Sequence, residues 1–323
     1  MAEKWIHSMN GVPWTNVKMN DAIQILRPNA SVTFAFGAEE LSVLKELNDI
    51  VFQVRPDLIL HVWSVADNRI ITNEELSLLT KMGNVKKLYF NGFNNTSLQE
   101  VAEMVQLTSL RLEPKKKLDL SFIEKLNHLT NISLTGKFMD LEPLSSCNKL
   151  TNLHLSTTIN SFSFFKTLNN IRHLSIDNCM TSSDFNQFNK ETLINLSITS
   201  IKMLENVDFL ADFQNLQSLR LGATRVKTLP SLAKLTKLKK LEFDCMKVWE
   251  NPEILQTLPM LEELLLKEIN TKLKAEQFYF LTAMDTLTSL DYRFMDFNKS
   301  RIEKLNNWFK EKSKEYILKN NNT

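Results

Sequence analysis

Apolar residues recur along most of the chain in the form L-x-x-L-x-L, first as Val85-Leu88-Phe90 and last as Leu287-Leu290-Tyr292. Between them lie Leu107-Leu110-Leu112, Leu129-Ile132-Leu134, Leu150-Leu153-Leu155, Ile171-Leu174-Ile176, Leu193-Leu196-Ile198, Leu216-Leu219-Leu221, Leu238-Leu241-Phe243 and Leu261-Leu264-Leu266. Successive copies start 21 to 26 residues apart. The alternation predicts a short strand in each, with positions four and six turned to one side and positions three, five and seven to the other. A second apolar set follows each strand, clearest as Val226, Leu229, Leu232 and Leu235, and predicts a return segment with one apolar side. A strand and its return cannot bury that side alone, so the copies must stack into one continuous core.

The flanks depart from this period. Leu41, Leu44, Leu47, Val51 and Val54 stand at helical spacing, and Leu58-Ile59-Leu60-His61-Val62-Trp63 beyond Pro56 predicts the strand of a further, degenerate copy whose register the pattern leaves open. Trp5, Trp14 and the run Val32-Thr33-Phe34-Ala35-Phe36 supply bulk to cover a first open edge. Ser300-Arg301-Ile302-Glu303 fits a capping box, opening a helix that carries Ile302, Leu305, Trp308 and Phe309. The expected organisation is a cap region over residues 1–57, a repeat array over 58–295 and a capping helix over 296–323.

The repeat resembles the leucine-rich repeat superfamily, in the short-unit class of 21 to 23 residues found in bacterial internalins and phosphatase regulatory subunits. That resemblance implies an α/β fold: a curved solenoid with a parallel sheet on its concave face, short helical or 3-10 returns on the convex face, and helical caps at both ends. It also implies interaction rather than chemistry. One departure stands out. The family places Asn at position nine to bond the turn backbone, whereas this chain has Phe93, Lys115, Lys137, Thr158, Cys179, Ile201, Thr224, Met246, Ile269 and Met295 there. The turns must therefore satisfy their backbone groups by another route.

Positions three, five and seven define a candidate partner-binding face: Lys87, Arg111, Asn131, Ser133, Asn152, His154, His173, Ser175, Asp177, Asn195, Arg220 and Glu242. Its early part is basic through Lys86, Lys87 and Arg111, its middle carries hydroxyl, amide and imidazole groups, and its late part is acidic through Glu242, Glu262, Glu263 and Glu268. Few aromatic anchors are visible, with Tyr89, Phe294 and Trp63 the candidates. His154, His173, Ser175 and Asp177 invite a catalytic or metal reading. An open sheet provides no oxyanion site, however, and two histidines on a strand diagonal, about 8 Å apart, are too far apart for a tight ligand shell. No catalytic residue, metal ligand or cofactor is expected.

Composition narrows the function further. Six glycines in 323 residues, none closely spaced, leave no dinucleotide fingerprint or phosphate loop. A net charge of +2 disfavours a general polyanion binder, and Lys115-Lys116-Lys117 is a solvated loop rather than a nucleic-acid stripe. The first ten residues contain no apolar run of a secretory signal, no stretch approaches the roughly 18 apolar residues of a membrane span, and Cys147, Cys179 and Cys245 form no framework. The expectation is a non-enzymatic, monomeric, cytoplasmic bacterial scaffold that holds a protein or peptide partner on its concave face, with no nucleic acid or membrane. The alternative is an immunity or effector-type protein binding one enzyme, or a regulatory subunit of an enzyme complex.

Overall fold

The computed structural model describes residues 6–66, 69–179, 185–294 and 299–319. The chain divides into two compact units, Met1–Thr158 with Ser163–Asn170, and Ile159–Phe162 with Ile171–Thr323. The first contains β1 (Ile6–Asn10), β2 (Leu26–Phe36), β3 (Ile59–Ser64), β4 (Lys87–Asn91), β5 (Ser109–Glu113), β6 (Asn131–Gly136) and β7 (Asn152–Thr157). Each pairs in parallel with the next in chain order. Parallel pairing needs a crossover, and most are short 3-10 turns such as Gln99–Glu103, Ser121–Lys125 and Glu142–Ser146.

The early crossovers are longer. α1 (Asn16–Ile25) is capped by Thr15, whose hydroxyl accepts from the Lys18 amide at 3.3 Å. α2 (Ser42–Glu46) runs into a π-helical turn at Leu47–Phe52, with Leu44, Leu47 and Val51 of the helically spaced set buried, Leu41 half-buried and Val54, beyond the turn, exposed. α3 (Asn73–Thr80) opens with a reciprocal box between Thr72 and Glu75. The degenerate copy is β3, and Leu60 opposite Leu88 fixes its register, turning Leu60 and Val62 inward and His61 and Trp63 outward. β1 and β2 lie in the stretch expected to cover an edge; there they continue the parallel pairing ahead of β3.

The second unit contains β8 (His173–Asp177), β9 (Asn195–Thr199), β10 (Ser218–Gly222), β11 (Lys240–Asp244), β12 (Glu263–Ile269) and β13 (Ser289–Phe294), again parallel and in chain order. α4 (Lys299–Glu311) follows, packing Leu305 and Phe309 inward and Trp308 edge-on to Tyr279 at 5.1 Å. Lys299 and Ser300 are both helical, so Ser300 stands inside the helix and not at the cap expected from the sequence signature.

In both units positions four and six are buried on every repeat strand, from Leu88 and Phe90 to Leu290 and Tyr292. Each such side chain contributes about 1.5–3 kcal/mol when fully buried. Behind the strands aromatic rings fill the returns, with Phe90 stacked on Phe93 at 4.5 Å in the first unit and Phe243 edge-on to Trp249 at 4.8 Å in the second.

The backbone turns sharply at position eight, at or just past the end of the strand. Gly92, Gly136, Asn178, Ser200, Cys245 and Glu268 all take positive φ there. Four of these carry a side chain, at a cost of about 1–2 kcal/mol each that the stacked core offsets. At position nine Phe93, Cys179, Ile201, Met246 and Ile269 are buried and serve the core in place of a turn-bonding asparagine, whereas Lys115, Lys137, Thr158 and Thr224 are exposed there. Met295 lies outside the described residues.

Asparagines further along the return take over the backbone role. Asn95 accepts from the Ile71 amide at 2.9 Å and donates to the Ile71 carbonyl at 2.7 Å. Asn251 does the same for Leu229, at 3.0 and 3.1 Å, and Asn270 donates to the Trp249 carbonyl at 3.0 Å. Each ties one repeat to the one before it.

Candidate functional site

The parallel register places position-five residues of neighbouring strands directly beside one another. In the first unit Asn10, Thr33, His61, Tyr89, Arg111, Ser133 and His154 form one such row. Lys87, Asn131 and Asn152, at position three, lie on the same face; Asn152 donates to Asn131, and Lys87 donates to Asn29 at 2.5 Å. All six residues expected here, Lys87, Arg111, Asn131, Ser133, Asn152 and His154, therefore stand on the face opposite the buried leucines.

Within this row is an ordered aromatic stack. The Tyr89 ring lies parallel to the His61 imidazole, with centroids 4.3 Å apart and 10° between planes. The Arg111 guanidinium covers Tyr89 at 4.3 Å. Glu113 orients Arg111 by accepting from Nε at 2.9 Å and from Nη2 at 2.5 Å, and Asn91 donates to the Tyr89 hydroxyl at 3.0 Å. Cation–π contacts at such exposed sites contribute about 0.5–1 kcal/mol, and rings already held in place lose little entropy on meeting a partner.

Burial, followed by the Arg111 charge, holds the His61 imidazole below its ordinary value, so this histidine is neutral near pH 7. Its Nε2 is buried without a hydrogen-bond partner. Burial likewise raises the Tyr89 phenol, which stays protonated.

Beside the stack, toward β1, opens a cleft of about 520 Å³ whose walls include Ile6, Asn10, Thr33, Glu39, His61 and Trp63. Glu39 is half-buried, and its two carboxylate oxygens accept from the amides of Val12 at 3.0 Å and Ala35 at 3.3 Å. Desolvation outweighs these bonds and raises its pKa. Trp63 is 36% exposed, leaving much of its surface open to solvent.

Sequence reasoning did not reach Asn10, Thr33 or Glu39. Their place on this face depends on the pairing of β1 with β2 and of β2 with β3, and no repeated motif marks those strands. The alternation Leu60, Val62 against His61, Trp63 was a usable signal for β3.

In the second unit His173, Ser175, Asp177, Asn195, Arg220 and Glu242 also stand on the outward strand positions. His173, Asp177, Asn195, Arg220 and Glu242 are bound to one another or to their neighbours. Asn195 donates to the His173 Nδ1 at 2.7 Å, and the Thr199 hydroxyl donates to Asp177 at 2.7 Å. Arg220 meets Asp244 at 2.7 Å and Glu242 at 3.3 Å, and Lys267 reaches the same Glu242 oxygen at 3.0 Å. Lys240 pairs with Glu263 and Lys239 with Glu262, at 3.3 and 2.7 Å.

Three of the four carboxylates from which an acidic late face was anticipated, Glu242, Glu262 and Glu263, thus meet cations across the sheet. Strands about 4.8 Å apart bring opposite charges of successive repeats into contact. Such exposed pairs add little stability individually, but they leave few charges for a partner. Phe294, an anticipated anchor, has a side chain outside the described ones.

Cys147 and Cys179 are buried and Cys245 is half-buried beside Glu268, its Sγ 3.1 Å from Oε2. No group of three or more His, Cys, Asp or Glu side chains among the described residues could hold a metal ion. No helix among them is long and apolar enough to cross a membrane. Lys115, Lys116 and Lys117 are exposed in the turn after β5.

No family model matches the chain, and no curated protein matches it. Among solved structures it is similar to an internalin from Listeria monocytogenes, at 19% identity over 87% of this chain and 93% of that one, with a TM-score of 0.50. It is also similar to a chain in the Toll–Spatzle complex of Drosophila, at 16% identity over 91% of this chain, with a TM-score of 0.53, and spans only 44% of that longer chain. Strands in chain order, one parallel register, buried positions four and six and short 3-10 returns agree with both likenesses: the chain has the fold of a leucine-rich repeat protein.

Proposed function

We propose that this chain is a non-enzymatic protein-binding scaffold whose partner, a protein or peptide, docks on the outward strand face of the first unit, over β1 to β6. The observation that carries this reading is the His61–Tyr89–Arg111 stack beside an open cleft. Ordered aromatic and arginine side chains next to a concavity are the usual centres of binding energy in protein interfaces. The second unit's face supports docking less, because Arg220, Glu242, Asp244 and Lys267 already satisfy one another. That a solved chain of this fold, Toll, is in complex with a protein, Spatzle, favours a protein partner. The scaffold works in the cytoplasm as a monomer on this reading, in keeping with three free thiols.

The test is affinity capture from native lysate with the full chain, followed by direct titration of the captured protein. Tyr89→Ala with Arg111→Glu is expected to weaken binding at least about 100-fold, whereas His173→Glu with Arg220→Glu changes it by less than about tenfold. Equal retention by both double variants would refute the placement on the first unit.

A further inference from the structure

The cleft between β1 and β3 has a composition that the open face does not share. Among the described residues Glu39 is the only charged side chain on its walls, and Ser8, Asn10, Ser31 and Thr33 all offer oxygen acceptors. The exposed indole of Trp63 and the imidazole of His61 supply flat walls. Its volume of about 520 Å³ lies within the roughly 300–1,000 Å³ of ligand-binding clefts.

Among the described residues, the cations Lys18 and Arg111 are already engaged. Lys18 donates to the carbonyls of Gly11 at 2.6 Å and Pro13 at 3.1 Å, and Arg111 is paired with Glu113. Each Glu39 oxygen accepts one backbone amide, which leaves lone pairs for a further donor.

We infer that this cleft is a subsite for an arginine side chain of the protein partner, with the guanidinium paired to Glu39 and stacked on Trp63. A guanidinium fits better than an ammonium because its planar fork spreads five donors over carboxylate and hydroxyl acceptors while its face lies on an aromatic ring. An anionic or wholly apolar group would leave the half-buried Glu39 carboxylate uncompensated. The elevated pKa of Glu39 is caused first by desolvation, which outweighs the Val12 and Ala35 amides and the Lys18 charge.

This inference rests on the reading of the first unit's face as the docking surface and places one element of the partner on it. Three acetylated and amidated tripeptides, Ala-Arg-Ala, its citrulline counterpart and its norleucine counterpart, would be titrated into the full chain by calorimetry or NMR. The arginine peptide is expected to bind at least tenfold more tightly than either control. Glu39→Gln should remove that preference.

Because Glu39→Gln also disturbs the Val12 and Ala35 amide contacts, Trp63→Ala serves as a second variant. It removes a ring that is 36% exposed and is expected to weaken the arginine peptide at least fivefold while the variant still unfolds in a cooperative thermal transition. No arginine preference in the wild type, no binding up to about 10 mM, or a preference that survives both substitutions would overturn the inference. If the arginine peptide fails while partner capture still depends on Tyr89 and Arg111, the arginine subsite falls and the docking surface stands. If the peptide binds as expected while capture ignores Tyr89 and Arg111, the docking reading falls and the cleft remains a guanidinium site.

Discussion

Asn251 ties two successive repeats together, and its removal tests whether such asparagines replace the ladder absent from position nine. Its Oδ1 accepts both the Trp249 indole N–H at 2.9 Å and the Leu229 amide at 3.0 Å, while Nδ2 donates to the Leu229 carbonyl at 3.1 Å. Trp249 is fully buried, so Asn251→Ala strands an indole donor away from water, at about 1–3 kcal/mol. The two Leu229 bonds are each worth about 0.5–1.5 kcal/mol net. Asn251 itself is half-buried and admits some water, which places the expected loss at about 3 kcal/mol, near the lower half of that range.

Asn215→Ala is the matched control. That side chain bonds the Glu191 carbonyl and Lys237 on the surface and should cost under about 1 kcal/mol. Urea unfolding followed by tryptophan fluorescence gives the global value. Because repeat arrays open locally, amide exchange at Leu229 is read alongside, and it should speed up in Asn251→Ala only. A loss below about 1 kcal/mol, or equal to that of Asn215→Ala, would refute the assignment of a structural role to these asparagines.

Other expectations concern the backbone, the stack and the thiols. Gly136→Ala places a Cβ 3.0 Å from the Pro114 carbonyl oxygen at φ +121° and should cost about 1–3 kcal/mol in thermal unfolding, whereas Gly83→Ala, which meets nothing within 4 Å, should be neutral or stabilising by up to about 1 kcal/mol. His61 titrates below its ordinary value in the folded chain, so the native state binds fewer protons than the unfolded one. Stability from this group is present above the unfolded pKa of about 6.5 and lost as pH falls through and below it. His61→Phe should flatten that part of the stability–pH profile, and an unchanged slope between pH 7.5 and 5 would contradict a buried neutral imidazole beside Arg111 and Glu113. Burial pushes the Cys147 thiol up to about 11, and burial together with Glu268 pushes Cys245 up to about 12. Alkylation of both at pH 8 in the native protein should be more than about 100-fold slower than that of a free thiol, as mass spectrometry of timed samples would record.

The repeat was legible in residues 85–295 because burial imposes it. Positions four and six must be apolar for the units to stack, and a period of 21 to 23 residues leaves room only for a strand and a tight return. For the same reason the twelve outward residues from Lys87 to Glu242 could be assigned to one strand face from alternation alone. What alternation does not contain is what lies next to what.

The pairing of β1 and β2 ahead of the motif-bearing strands, and the register of β3, came only from the folded chain, because the runs at Val32–Phe36 and Leu58–Trp63 have no repeated partner in sequence to align with. The cleft beside Trp63 follows from that pairing. Reading the late face as acidic failed for a related reason: Glu242, Glu262 and Glu263 are counted singly along the chain but meet Arg220, Lys267, Lys239 and Lys240 across strands some 22 residues apart. The asparagine role also moved, from position nine to Asn95, Asn251 and Asn270, and Phe93, Cys179, Ile201, Met246 and Ile269 fill the core at position nine instead. Local pattern determined which residues are buried and which face outward. Tertiary structure decided which outward residues meet, because contact between repeats depends on strand register, and register is a property of the stacked chain.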